Sequence, residues 1–153
     1  MAQKKPNTTK SISNRRARFD YQLEDGILAG IALTGAETKA LRMGLGHIRG
    51  AYVTNKGKEL WLTNATITGN NRIRIDEEDH TRPRKLLLKK REINALLAEK
   101  DQGKTIIPLN ILTNGRFIKV RIAAGRGKKQ YDKRETIKKR EADRRNRQDY
   151  GRI

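Results

Sequence analysis

Apolar positions crowd the middle of the chain and thin out toward both ends. From Leu23 to Leu33 they form an extended segment interrupted by Gly26 and Gly30, which predicts strand with a bend or bulge. Thr34-Gly35-Ala36-Glu37 then has the pattern of a capping box. The Thr34 hydroxyl can accept from the first turn, and Glu37, three residues on, can reach back to the Thr34 amide. The spacing predicts a short helix with Ala40 and Leu41 toward the core, ended by Gly44 and Gly46. Ala51–Asn55 and Glu59–Asn64 read as a hairpin around Asn55-Lys56-Gly57. Thr105–Leu112 and Arg116–Ile122 form the clearest hairpin, joined by the turn pair Asn114-Gly115. Between the hairpins, Ile93, Leu96 and Leu97 share one face of a helix of roughly ten residues that Gly103 stops.

Five or six short strands with two helices in roughly 110 residues predict a mainly-β domain with flanking helices. An OB-like Greek-key antiparallel barrel leads, an architecture that commonly binds oligonucleotides. The ends differ in kind. Residues 1–20 hold six basic and one acidic side chain, 21–120 hold 17 and 11, and 121–153 hold 13 and 5. Few large apolar residues lie in either end, so neither can bury enough surface to offset its ordering entropy. The expected organisation is a basic disordered arm over 1–13, a barrel over 14–124 and a basic tail over 125–153.

The whole chain of 153 residues carries a formal charge of +19, which calls for a polyanionic partner. Its apolar runs, such as Leu86-Leu87-Leu88, are far below the ~20 residues of a membrane span, and Met1–Lys10 lacks the apolar stretch of a signal peptide. Without cysteine there are no disulfides, thiolate metal sites or thiol nucleophiles. These features predict a cytoplasmic, soluble nucleic-acid-binding protein.

Candidate contacts follow from charge in context. Arg82-Pro83-Arg84-Lys85-Leu86-Leu87-Leu88-Lys89-Lys90-Arg91 holds six cations in ten residues, enough to displace counterions from phosphates. The alternative is a solvated loop balanced by Asp76-Glu77-Glu78-Asp79. Lys89, Lys90 and Arg91 stand where a helix dipole prefers acids, so either an anion lies nearby or the helix begins later. Lys119 and Arg121 alternate with Ile118, Val120 and Ile122 and would share the outer face of the last strand, as solubility devices or as RNA contacts. Gly125-Arg126-Gly127-Lys128-Lys129 lacks the spacing and hydroxyl of a phosphate-binding P-loop, and Gly44-x-Gly46 lacks the third glycine of a dinucleotide fingerprint. His47 and His80 have neither catalytic nor metal-ligand spacing, so no enzyme, metal or cofactor is expected. Asp132 with Glu135 forms a capping signal for a tail that is polar all round, with Ile137 nearly its only large apolar residue before Tyr150. Such a tail is expected to be disordered when free and helical against a negative surface.

Four collinear motifs now stand out. Asn14-Arg15-Arg16-Ala17-Arg18-Phe19-Asp20-Tyr21, Leu33 to Arg42, Arg82 to Leu88 with Lys90-Arg91-Glu92, and Gly127-Lys128-Lys129-Gln130-Tyr131-Asp132-Lys133-Arg134 follow one another over about residues 14–135. Together they resemble the small protein B family, the tmRNA-binding proteins of bacterial trans-translation. The resemblance implies an OB-like barrel that holds the tRNA-like domain of tmRNA, supporting its elbow and D-loop in place of an anticodon arm. It implies a tail that enters the empty mRNA channel of a stalled ribosome and folds there, at the decoding centre of the small-subunit rRNA. Ribosome rescue and tagging of the nascent chain for proteolysis follow. It further implies elongation factor Tu as a partner through alanyl-tmRNA, a monomeric state, and an adaptor that breaks no covalent bond.

Residue by residue, Leu87 and Lys119 match positions that the family uses against tmRNA. Arg84, Lys85 and Lys89 fit alongside, and Arg15, Arg16, Arg18 and Arg121 complete the implied tmRNA-binding set. Gly127, Lys128, Lys129, Tyr131, Asp132, Lys133 and Arg134 match the segment that meets the decoding centre, with Lys138 next along the tail. Tyr131 would stack on a base. Phe19 stands where His is frequent, Thr38 replaces the usual Val, and Leu28 occupies a position where the family often has an acidic residue used in tmRNA binding. That acidic role is not carried over to Leu28. A structural ribosomal protein and an RNA-modifying enzyme are the rival classes. Presence in every ribosome would mark the first, and turnover by the purified protein the second.

Overall fold

The computed structural model describes residues 11–128 and 130–150, with side chains 134–145 in the last helix. Residues 1–10 of the expected arm, Lys129, and the side chains of Tyr131, Asp132 and Lys133 lie outside the described residues.

The chain runs β1 (Ser11–Ser13), α1 (Ala17–Asp20), β2 (Tyr21–Leu23), β3 (Ile27–Ile31), α2 (Gly35–Arg42), β4 (Gly46–His47), β5 (Tyr52–Lys56), β6 (Glu59–Thr63) and β7 (Thr66–Ile67). A 3-10 turn at Glu77–Asp79 precedes β8 (Arg84–Leu87), α3 (Lys90–Asp101), β9 (Thr105–Leu112), β10 (Lys119–Gly127) and α4 (Gln130–Tyr150). All pairings are antiparallel, in the order β1-β9-β10-β3-β8-β6-β5, with β2 beside the far end of β10 and β4–β7 as a separate ribbon. The sheet wraps one core that includes Leu41, Ile48, Leu60, Leu62, Leu86, Ile111, Val120 and Ile122. β5 comes back against β9, yet no ladder joins the path ends β1 and β5, so the OB-like barrel is open.

Both halves of the capping box form: the Glu37 N–H donates to Thr34 Oγ1 at 3.2 Å, and the Thr34 N–H to Glu37 Oε1 at 3.0 Å. The helix that they open closes at Gly44, whose φ of +77° suits glycine. Lys56 pairs with Glu59, so the first hairpin turns on Gly57-Lys58, one residue beyond the expected centre. The last hairpin departs further. β10 begins only at Lys119, and Thr113–Ile118 form a loop in place of the expected two-residue Asn114-Gly115 turn. The Arg42 guanidinium explains the wider loop, since it donates to the carbonyls of Thr113 and Arg116, both at 3.0 Å. Opposite β10, the register slips between Arg121 and Ile122, which face Asn110 and Pro108. The bulge absorbs a proline that has no N–H for a regular ladder.

Three boundaries move. Ser11–Ser13, expected within the N-terminal arm, pair with Asn110–Leu112 as strand. β10 continues past the expected barrel end at 124, because Gly125–Gly127 pair with β2. A Cβ on Gly125 would lie 2.7 Å from the Gln22 carbonyl oxygen, so only glycine admits this approach. The tail helix begins at Gln130, which puts Asp132 inside it and not at its N-cap. α3 begins at Lys90 with Lys89 as its N-cap, so the three cations do occupy its N-terminus and the later-start reading is set aside.

Candidate nucleic-acid interface

Two of the conspicuous basic residues turn inward. Arg84 is 0% exposed and Glu37 2%. Glu37 Oε2 accepts from Arg84 Nε, and Oε1 from Arg82 Nη2 as well as from the Thr34 N–H. The remaining four N–H groups of Arg84 go to the carbonyls of Ala65, Arg82, Asp79 and His80. All five donors are spent inside the protein. The expectation that Arg84 contacts tmRNA is therefore corrected: its guanidinium is sealed from solvent and holds the 79–84 segment on α2. Burial pushes the Glu37 carboxyl up, but the Thr34 N–H and the two guanidiniums outweigh it and hold it below the ordinary carboxylate range. Of the acids at 76–79, Asp79 still supports the buried Arg84 guanidinium through space, which is part of the balance that the solvated-loop alternative required. Among the described residues, none of their carboxylates forms an ion pair.

The outward side of the same strand is different. β8 directs Arg84 and Leu86 inward and leaves Lys85 half-buried and Leu87 54% exposed. Leu87 pairs with Gly30 on β3, and Gly30 pairs with Lys119 on β10, so the three stand in one cross-strand row. A Cβ on Gly30 would come within 3.1 Å of Leu87 Cβ; glycine leaves the room that Leu87 occupies. In the next row Leu28, 46% exposed, faces Arg121, whose stem lies over Gly26. The Leu28–Leu87–Lys119 side opens as a groove of about 510 Å³ that also takes in Lys85, Lys89 and the acids Glu59 and Glu92. Lys85 is paired with Glu59 at 3.2 Å, an exposed contact of small worth. Apolar surface framed by lysines suits nucleic acid, whose bases offer apolar faces and whose backbone offers phosphates.

The groove brings together Lys85, Leu87, Lys89 and Lys119. It does not include Arg15, Arg16 and Arg18, which stand exposed around α1. Arg121 lies between the two groups, since its row continues across Asn110 to Ser13. Gly127, Arg134 and Lys138 are exposed along the tail; the Lys128 N–H donates to the Asp20 carbonyl at 2.8 Å, and its Nζ lies 3.3 Å from Thr136 Oγ1. Phe117, 69% exposed with the Arg116 guanidinium 5.7 Å from its ring centre, is a surface aromatic that the sequence reading passed over. Its flanking cations Arg116 and Lys119 were the available signal. Among the described residues no cluster of acids and histidines could hold a metal, and no helix is long and apolar enough to cross a membrane.

An open OB-like barrel with an apolar-and-basic groove, extended by a basic helix, defines the class: a nucleic-acid-binding module. Comparison with known proteins narrows it. The family model described as SmpB protein matches residues 11–152, and the chain belongs to that family. It is 46% identical over 144 residues to the SsrA-binding protein of Bradyrhizobium diazoefficiens, with 92% of each chain covered. It is 45% identical over 147 residues to that of Sphingomonas elodea, again with 92% of each covered. A solved chain described under "tmRNA-SmpB: a journey to the center of the bacterial ribosome" superposes with a TM-score of 0.66 at 37% identity, covering 83% of this chain and 94% of that one.

Proposed function

We propose that this protein is a tmRNA-binding adaptor of trans-translation, and that the groove between β3, β8 and β10 receives the tRNA-like domain. The cross-strand row Leu87–Gly30–Lys119 carries the reading, because it sets an exposed apolar side chain beside a cation that forms no ion pair among the described residues. Leu87 and Leu28 offer the apolar contact, Lys119, Lys89 and Arg121 the phosphate contacts, and selectivity comes from the shape of the folded RNA. Residues 11–128 form the RNA-holding unit. The tail, from Gly127 and Lys128 through Lys129, Tyr131, Asp132 and Lys133 to Arg134 and Lys138, meets the small-subunit rRNA of a stalled ribosome. Elongation factor Tu joins through alanyl-tmRNA, and the protein acts as a cytoplasmic monomer that makes and breaks no covalent bond.

Competition binding across a salt series tests the reading. Purified tmRNA is expected to bind more tightly than an unrelated folded RNA of equal length at every salt concentration. Equal affinities throughout would overturn it.

A further inference from the structure

The strongest turn signal in the sequence goes unused by the fold. A type I′ turn on Asn114-Gly115 demands positive φ at both residues. Gly115 has none, and among the described residues Asn64 is the one non-glycine that has. The hairpin opens instead into the loop over 113–118, whose feet, Thr113 and Ile118, are buried and whose crest, Asn114 to Phe117, is exposed. The Arg42 guanidinium keeps it wide through the carbonyls of Thr113 and Arg116, one on either side of the pair.

At the crest a carboxamide and a backbone nitrogen are left side by side. Neither the Asn114 carboxamide nor the Gly115 N–H makes a hydrogen bond among the described residues. Gly115 carries no Cβ, and one added there would meet only the Phe117 carbonyl oxygen, at 3.4 Å. The nitrogen that follows the carboxamide is therefore neither engaged in a ladder nor screened by a side chain. Of the ten asparagines in the chain, Asn114 alone precedes glycine.

We propose that Asn114 is a hydrolytic modification site, deamidated through a succinimide with water as the co-reactant. The Gly115 nitrogen attacks Asn114 Cγ. That C–N bond forms as the Cγ–Nδ2 bond breaks, and Nδ2 leaves as ammonia with the proton given up by the Gly115 nitrogen. Water then opens the ring. Cleavage at Cγ leaves aspartate in the ordinary chain; cleavage at the Asn114 main-chain carbonyl carbon leaves isoaspartate, with the chain running through the former side chain. Either product places a carboxylate on the loop that carries Arg116 and holds no other acid. Isoaspartate also adds a methylene to the span between the two carbonyls that Arg42 bridges. The site lies outside the Leu87 groove, and the inference is independent of which RNA that groove takes.

Mass-resolved peptide mapping of the full chain tests this, since trypsin releases residues 105–116 as one peptide and fragmentation separates Asn114 from Asn110. Folded protein, and the same protein unfolded in guanidinium chloride, are incubated side by side in mildly alkaline buffer. Asn114 is expected to lose its amide ahead of every other asparagine and to yield both aspartate and isoaspartate. Its rate in the folded chain should lie within about tenfold of the unfolded one, as an exposed loop crest allows. Gly115→Ala, which the open crest admits without a positive-φ penalty, should slow the loss about tenfold. A larger gap between folded and unfolded rates would overturn the proposal, by showing that the loop holds the carboxamide away from the nitrogen. So would aspartate as the sole product, which marks direct hydrolysis without the ring. An unchanged rate in Gly115→Ala, or faster loss at another asparagine of the folded chain, would overturn it as well.

Discussion

Glu37 satisfies three donors with two oxygens: the amide that opens its own helix, Arg82, and the buried Arg84. A residue placed by local helix chemistry thereby becomes the counter-charge of a long-range ion pair. Replacing it strands two cations, one of them with no access to water. Glu37→Gln is expected to lose about 3–5 kcal/mol of stability, the usual cost of removing one partner of a buried pair, read from the urea midpoint. The same group gives the fold an acid-sensitive stability. Its carboxyl is held below its ordinary value of 4.5 in the folded state. Its contribution is therefore complete above that value and is lost as the pH falls through the lowered one. Urea titrations stepped downward from pH 5 should show this slope in the natural protein and its loss in Glu37→Gln.

At the scale of elements, β8 reverses the usual code. Its charged residue Arg84 points in and its apolar residue Leu87 points out, because Glu37 awaits the first and a functional surface needs the second. Pattern alone read this stretch as a basic run and missed the strand. The helix over Gly35–Arg42 and the strand over Thr105–Leu112 were legible, because a capping box and an apolar stretch bounded by a turn pair are local signals. β4 and β7, two residues each, are too short for any period to register, and β1 exists only through pairing with β9. The motif resemblance located Leu87 and Lys119, but only the register shows that Gly30 sets them side by side. The two contribute differently. Lys119→Ala should flatten the plot of log affinity for tmRNA against log salt by about 0.7–0.9, one phosphate's worth. Leu87→Ala should weaken binding about tenfold and leave that slope unchanged, as the loss of apolar contact requires.

For the molecule as a whole, the charge of +19 is distributed by use. Some of it is spent internally at Arg84, some frames the Leu87 groove, and another part lies around α1 and along the tail. The barrel's true end follows from its ladders: Arg126 and Gly127 pair with Gln22 and Tyr21. A chain cut after Lys128 is expected to keep its tmRNA affinity in filter binding while losing tagging activity on stalled ribosomes. A cut after Gly125 should also lower the melting temperature, because it strips the β2 pairing. Weakened tmRNA binding by the Lys128 truncation would move the main RNA site into the tail. The strand that leads to the tail is also the best-flanked in the sheet, with β9 along one edge and β3 then β2 along the other. Ladder hydrogen bonds run across the strands, so a pull on α4 directed along β10 strains them together in shear, where an edge strand would unzip one bond at a time. Traction applied to the tail falls on the sheet member that must yield last.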